Sequence, residues 1–122
     1  MARAANIMRG GFSAGNAGAI NGAIATGLTA AGTTISDALD LTADTNVLGT
    51  VASGTGVQLP ATELGDSVEI YNGGANACTV YPDATDSQIN GLVAGNGFLL
   101  ATNTMCYCRK ITATRWIVNL SA

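Results

Sequence analysis

Three cysteines carry the most distinctive chemistry in this sequence, and two of them stand two residues apart at Cys106 and Cys108. Side chains two apart on a β-strand point to the same side, so both thiols would meet Cys78 if its strand lay alongside. Three thiolates are one ligand short of a closed zinc site, and the sequence has no histidine to complete it. Because buried free thiols pack as small apolar groups, we interpret the cysteines as core residues. A metal site and a disulfide from Cys78 to one of the pair are the alternatives.

Acidic pairs are the second candidate for chemistry. Asp83 with Asp86, or Glu63 with Asp66, would provide a general acid and base if they folded side by side. All four lie in stretches typical of turns, where aspartate accepts hydrogen bonds from nearby backbone, so we interpret them as turn residues. The Asp83–Asp86 loop has too few ligands for calcium, and without histidine there is no Ser-His or Cys-His nucleophile pair. The sequence therefore predicts a protein that is not an enzyme and that has no cofactor and no metal site.

The composition indicates a small domain that shares its surface with other subunits. The chain has 122 residues, which is enough for one domain. Hydrophobic residues make up 48% of it and charged residues 11%, against about 25% charged in ordinary soluble domains. So few charges predict that part of the apolar surface is covered by partner chains.

Charge is placed unevenly along the chain. Arg3 and Arg9 are the only charged residues before Asp37, and all 8 acids lie between Asp37 and Asp86. A basic leader before an acidic body favours docking on an acidic partner, whereas two arginines are too few for nucleic-acid binding.

No apolar run reaches the ~18 residues of a membrane span, and the start lacks the apolar region of a signal peptide. We expect a protein made in the cytoplasm, with reduced cysteines and no membrane partner.

Residues 1–34 differ in kind from the rest and are predicted to form an extended or partly helical N-terminal arm. Alanine and glycine fill half of this segment, and its repeated glycines weaken any helix by about 1 kcal/mol each. Such a segment orders on contact with a partner. Its candidate partner-binding residues are the larger apolar and basic ones, Arg3, Ile7, Met8, Arg9 and Phe12.

Residues 35–122 have the pattern of a β-rich domain, in which short apolar runs alternate with turn residues. The predicted strands lie around residues 35–41, 47–51, 57–59, 66–72, 77–81, 89, 98–100, 105–111 and 116–120. Asn72-Gly73-Gly74 tolerates positive φ and predicts a hairpin between the strands on either side. The turn "TATR" joins the last two strands. This cadence predicts an all-β fold, a small antiparallel β-sandwich or barrel behind an extended arm.

The stretch from Gly65 to Leu120 resembles a module of tailed-bacteriophage virion proteins. The likeness lies in "GDSVEIYNGGANACTVYPDATDSQINGL", followed by a strand, a short turn and a strand that begins with tryptophan. The cysteine-rich "MCYC" departs from the apolar residues usual there. The resemblance implies a small β-rich virion surface domain, often trimeric, with no active site. The matching positions look fold-defining; they are Gly65, Asp66, Asn72, Tyr81, Pro82, Asn90, Gly91 and Trp116.

From this resemblance and the arm we expect a capsid decoration (cement) protein on the virion surface. Its partners would be the major capsid protein and further copies of itself in a homotrimer. One alternative is a head fibre or a tail-associated fibre or spike subunit that contacts host glycan through Trp116 or the tyrosines. A more distant alternative is a small metal-binding enzyme that uses the three cysteines.

Overall fold

The computed structural model describes residues 23–121, which form ten β-strands and no helix. The strands are β1 Ile24–Thr29, β2 Leu39–Asp40, β3 Thr45–Thr50, β4 Gly56–Gln58, β5 Ser67–Asn72, β6 Cys78–Tyr81, β7 Gln88–Ile89, β8 Phe98–Leu100, β9 Thr104–Thr112 and β10 Arg115–Leu120. The predicted all-β class is confirmed. Within the described part of the chain there is no helix long and apolar enough to cross a membrane.

The first six strands wind back and forth between two sheets. β1, β3 and β5 are parallel neighbours in a six-stranded sheet of order β1-β3-β5-β9-β10-β7. β2, β4 and β6 are parallel neighbours in a four-stranded sheet of order β2-β4-β6-β8. The chain therefore stacks successive coils as a solenoid does. The predicted antiparallel arrangement is wrong for this half, because consecutive strands lie in different sheets instead of side by side.

The remaining strands close one end of the stack, mostly by antiparallel pairing. β8 pairs with β6, β9 with β5, and β10 with β9, all antiparallel, while β7 lies parallel to β10. The β9–β10 hairpin turns at Ala113 and Thr114, as the sequence "TATR" predicted. The large sheet thus joins a parallel half to an antiparallel half along the β5–β9 seam.

The corner after β5 is not the hairpin that Asn72-Gly73-Gly74 predicted. β5 belongs to the large sheet and β6 to the small one, so the chain crosses between sheets here. A Cβ on Gly74 would lie 2.7 Å from Val51, and one on Gly73 would lie 3.0 Å from the Leu48 carbonyl oxygen. The two glycines are needed because this coil packs closely on the preceding one, and neither has the positive φ that a hairpin turn would use.

The inward faces of both sheets form one core. Strand alternation sends every second side chain inward, and the core positions are the apolar ones. The buried cluster includes Leu48, Val57, Val68, Ile70, Cys78, Val80, Ile89, Leu100, Cys106, Cys108, Trp116 and Val118, with Leu41, Val51 and Leu59 at the corners after β2, β3 and β4. The strands predicted in the second half of the sequence supply most of this cluster.

Part of the predicted arm belongs to the large sheet. Ile24–Thr29 forms β1, which pairs with β3, and Ala30 is buried in the core. Gly27 has φ +65° at an irregularity in this pairing, which lets β1 follow β3 despite the interruption. The arm residues proposed for binding, Arg3, Ile7, Met8, Arg9 and Phe12, lie outside the described residues.

Candidate functional site

The most polar site in the interior is built around Asp83, in the loop that follows β6. The Lys110 ammonium Nζ lies 2.6 Å from Asp83 Oδ2, and both side chains are less than a tenth exposed. Trp116 donates from Nε1 to Asp83 Oδ1 at 3.1 Å. Lys110 also donates to the Thr62 carbonyl oxygen at 3.2 Å. The Asp83 carboxylate therefore ties β9 and β10 to its own loop, and Lys110 also holds the loop that contains Thr62.

These contacts control the ionisation of Asp83. Burial acts to raise its pKa, but hydrogen bonds from Lys110, Trp116 and Ser87, together with the Lys110 charge, outweigh burial and hold the pKa of Asp83 below its usual value. The carboxylate is thus ionised and both of its oxygens are occupied. It is a structural anchor in this arrangement, and neither oxygen is left to take a proton from a substrate.

A cleft of about 460 Å³ opens beside this anchor. It is lined by Asp40, Leu41, Thr42, Gln58, Leu59, Pro60, Ala61 and Asp83. Gln58 donates from Nε2 to the Asp83 carbonyl oxygen at 3.2 Å, so the amide is committed to holding the loop. The lining combines the apolar residues Leu41, Leu59, Pro60 and Ala61 with the acidic residue Asp40.

The three cysteines lie in the core, as the sequence predicted. Cys106 and Cys108 point to the same side of β9 with their sulfurs 3.7 Å apart, and all three thiols are free and buried. Burial and the nearby Cys106 raise the pKa of Cys78 to about 12. A hydrogen bond with Cys106 and burial raise the pKa of Cys108 as well. Within residues 23–121 no three Cys, Asp or Glu side chains are grouped closely enough to hold a metal ion.

The other acids singled out from the sequence lie in exposed turns. Asp66 Oδ2 accepts from the Glu63 backbone N–H at 3.2 Å, and the Asp66 N–H donates to the Glu63 carbonyl oxygen at 3.2 Å. The interpretation of Asp66 as a turn residue is confirmed. Asp86 is exposed, whereas Asp83 is committed to Lys110, so the two do not form a pair of free carboxylates.

Several resemblance positions lie where strands and coils are joined. Asn72 is fully buried, donates to the carbonyl oxygens of Asn76 and Leu100 at 2.9 Å, and accepts from the Gly74 N–H at 2.9 Å. Asn90 has φ 51°, and its side chain bonds both the N–H and the carbonyl of Val118, so it extends the edge of β10. Each amide thus replaces backbone pairing at a place where a strand ends.

The remaining resemblance positions have simpler surroundings. The Gly65 N–H donates to the Lys110 carbonyl oxygen at 2.8 Å, and the Tyr81 hydroxyl donates to the Thr33 carbonyl oxygen at 3.1 Å. Pro82 is fully buried, and a Cβ at Gly91 would meet open space. Trp116 is fully buried, so it is a core residue and is closed to any glycan.

The large sheet has one solvent-facing surface, which we call the outer face. It includes outward residues of β3, β5, β9 and β10, among them Val47, Glu69, Tyr71, Met105, Tyr107, Arg109, Ile111 and Ile117. Register places Tyr71 between Val47 and Met105, and Tyr107 between Glu69 and Asn119. Tyr107 is 41% exposed, Ile117 38% and Tyr71 36%. Tyr71, Met105 and Tyr107 are neighbouring aromatic and apolar side chains on this face, and Glu69 and Arg109 lie beside Tyr107.

Sequence reasoning missed the Asp83–Lys110 pair and the outer face. Both follow from strand alternation in "MCYCRKI": if Cys106 and Cys108 point inward, Lys110 does too and needs an anion, while Tyr107 and Arg109 point outward.

Comparison of the chain with protein-family models, curated proteins and solved structures gives no match. The resemblance of Gly65–Leu120 to phage virion modules therefore stays a prediction from its own residues.

Proposed function

We propose that this chain is a structural protein of a tailed-bacteriophage particle, made in the host cytoplasm, which binds the outside of the capsid as a decoration (cement) protein. The body, a two-sheet knob, projects from the shell, and residues 1–22 attach it to the major capsid protein. The resemblance of Gly65–Leu120 supports the virion assignment. The observation that carries the attachment is the position of β1.

Among residues 23–121, β1 is the edge strand of the large sheet, at the opposite end of the sheet from β7. Residue 23 directly precedes it, so residues 1–22 join the body at this edge. An edge strand has unpaired backbone groups on one side and accepts an added strand. An arm that starts here can bring Ile7, Met8 and Phe12 to an apolar groove of the shell while Arg3 and Arg9 pair with shell acids.

Self-association completes the mechanism. Ordering an arm costs conformational entropy, which lowers the affinity of one arm for its site. A homotrimer binds through three arms at once, so the attachment outlasts any single contact. A protein that binds the assembled shell and not its dissociated subunits stabilises the shell by mass action.

A chain lacking residues 2–22 tests the attachment. β1 is retained because its loss would uncover β3. We expect the shortened protein to fold and self-associate as the full chain does but to lose cosedimentation with undecorated capsids. Replacing Ile7, Met8 and Phe12 with serine should have the same effect, while serine at Ala14, Ala17 and Ala19 serves as the matched control. Normal decoration by the shortened protein would refute the arm mechanism.

A head fibre or a tail-associated fibre or spike subunit is the second candidate. The exposed tyrosines of the outer face favour it, because flat aromatic surfaces stack on sugar rings. In that role Tyr71 and Tyr107 would contact host glycan, and the buried Trp116 would not. Tens of copies or fewer per particle would favour this role, and hundreds would favour decoration.

The distant alternative, a metal-binding enzyme, would require stoichiometric zinc on Cys78, Cys106 and Cys108.

A further inference from the structure

The outer face has the composition of a protein-protein contact. Tyrosine, methionine and arginine are enriched at such contacts and lysine is depleted. The outer face carries Tyr71, Tyr107, Met105 and Arg109, while the neighbouring Lys110 points inward to Asp83. Isolated exposed apolar residues need no explanation, but these lie next to one another on adjacent strands.

The charges of the outer face are unmatched within the body. Glu69 lies directly across from Tyr107 on the neighbouring strand, and Arg109 lies two residues along the same strand as Tyr107. Within residues 23–121 the one ion pair is Lys110–Asp83, so neither Glu69 nor Arg109 has an ionic partner there. Within the described residues the Glu69 carboxylate accepts one hydrogen bond, from the Thr45 hydroxyl at 3.4 Å. A half-buried acid and an exposed base therefore lie next to the exposed Tyr107.

This arrangement complements itself. In a closed ring of identical subunits, a surface that carries both signs can place the acid of one copy against the base of the next, and the contact repeats until the ring closes. A purely acidic partner would meet Glu69, and a purely basic one would meet Arg109. A second copy of this chain supplies both an acid and a base, and Tyr107 lies beside both charges, where it can fill the centre of the contact.

We propose that the outer face is the contact surface between copies of this chain. Glu69 of one copy lies opposite Arg109 of its neighbour, and Tyr107 packs between the two copies. This inference rests on the self-association part of the proposed function and is independent of the capsid. It assigns assembly to the outer face and leaves the β1 edge, on the other side of β3, for the arm.

Charge reversal tests the pairing on the full-length chain. Sedimentation equilibrium should give the wild-type protein a mass that is a multiple of the 12.2 kDa chain. Glu69→Arg and Arg109→Glu each place like charges in contact and should reduce the mass to that of one chain. The double variant Glu69→Arg/Arg109→Glu restores opposite charges and should restore the oligomer. A merely structural role of either residue would not produce this rescue.

Matched controls separate the outer face from the rest of the surface. Leu99 is 66% exposed on the small sheet and Glu63 is an exposed acid in a turn, so Leu99→Ser and Glu63→Arg should leave the mass unchanged. Tyr107→Ser should weaken association at least tenfold. Circular dichroism would establish that each variant is folded.

Three results would overturn the proposal: a monomeric wild-type chain, single charge reversals that leave the oligomer intact, or a double variant that stays monomeric. Glycan binding that Tyr107→Ser abolishes while the mass is unchanged would assign the outer face to a sugar instead. Failure of the full-length, assembled protein to bind capsids would count against decoration and leave the outer-face contact standing.

Discussion

Lys110 Nζ lies 2.6 Å from Asp83 Oδ2 in the interior, and this pair links the loop after β6 to the last hairpin of the large sheet. The carboxylate also accepts from Trp116, so its removal leaves the Lys110 ammonium without its counter-ion and the indole N–H without its acceptor. Cutting one partner from a buried pair costs more than the pair itself contributes, because the remaining charge stays buried.

Asp83→Asn should therefore lower the free energy of unfolding by about 3 kcal/mol. The double variant Asp83→Asn/Lys110→Met should lose less unfolding free energy than the two single variants lose in sum, because it leaves no buried charge. Urea denaturation monitored by Trp116 fluorescence measures both effects. Asp86→Asn, in the same loop but exposed, is the control. Equal stability of Asp83→Asn and Asp86→Asn would show that the pair is unimportant.

Acid should destabilise the protein at a defined pH. The pKa of Asp83 is lowered in the folded state, and that of Asp37 is lowered too, chiefly by a backbone hydrogen bond from Thr34. A depressed folded pKa gives stability that is present above the unfolded pKa of about 4 and is lost as pH falls through the folded value. Melting temperature should hardly change from pH 7 to about 5 and fall below about 4. In Asp83→Asn that fall should be shallower; an identical acid profile would contradict the assignment.

Alkaline pH should lower the stability of the folded protein by ionising its buried thiols. The pKa of Cys78 is raised to about 12 from the usual 9.0, so the unfolded chain loses its thiol protons at a lower pH than the folded chain. The contribution of the protonated Cys78 thiol to the free energy of unfolding should be fully present below about pH 9. It should decline as pH rises toward the pKa of this thiol in the folded state. Cys78→Ala, at a constant buffer composition, should show a weaker decline.

The same burial predicts unreactive thiols. At neutral pH a thiol reagent should modify Cys78, Cys106 and Cys108 slowly in the native protein, and all three at once in denaturant. Rapid native labelling of any one of them would contradict the buried position of that residue.

Asn72 should be among the most sensitive polar positions. Its side chain makes three hydrogen bonds at the corner where the chain leaves the large sheet. Asn72→Ala leaves two carbonyl oxygens and one N–H without their partner, and should cost about 2 to 3 kcal/mol of unfolding free energy. Asn119→Ala, on the exposed side of β10, should change stability by less than about 0.5 kcal/mol. Chemical denaturation of both variants makes the comparison, and equal losses would contradict this role.

The sequence predicted where strands lie better than how they pair. Alternation in "SVEIYN" and "TMCYCRKIT" located β5 and β9 because one side of each is buried. It could not show that β5 pairs in parallel with β3, since apolar alternation looks the same in parallel and antiparallel neighbours. β1 was missed because its alanine and glycine residues have low β-propensity, and pairing with β3 compensates for this.

The candidate sites were predicted unevenly for a related reason. The cysteines were placed in the core correctly because a buried thiol needs no partner. The Asp83–Lys110 pair was missed because the two residues meet only when the loop after β6 reaches the β9–β10 hairpin, a contact that local sequence does not specify. The hairpin predicted at Asn72 failed because glycine serves close packing as well as positive φ.

Cryo-electron microscopy of the particle that contains this chain tests the decoration proposal most directly. The proposal predicts hundreds of copies of the two-sheet body on the outer surface of the capsid shell, with density from the β1 edge continuing into the major capsid protein. A few copies confined to the tail or to a single vertex, or a shell without this body, would contradict it.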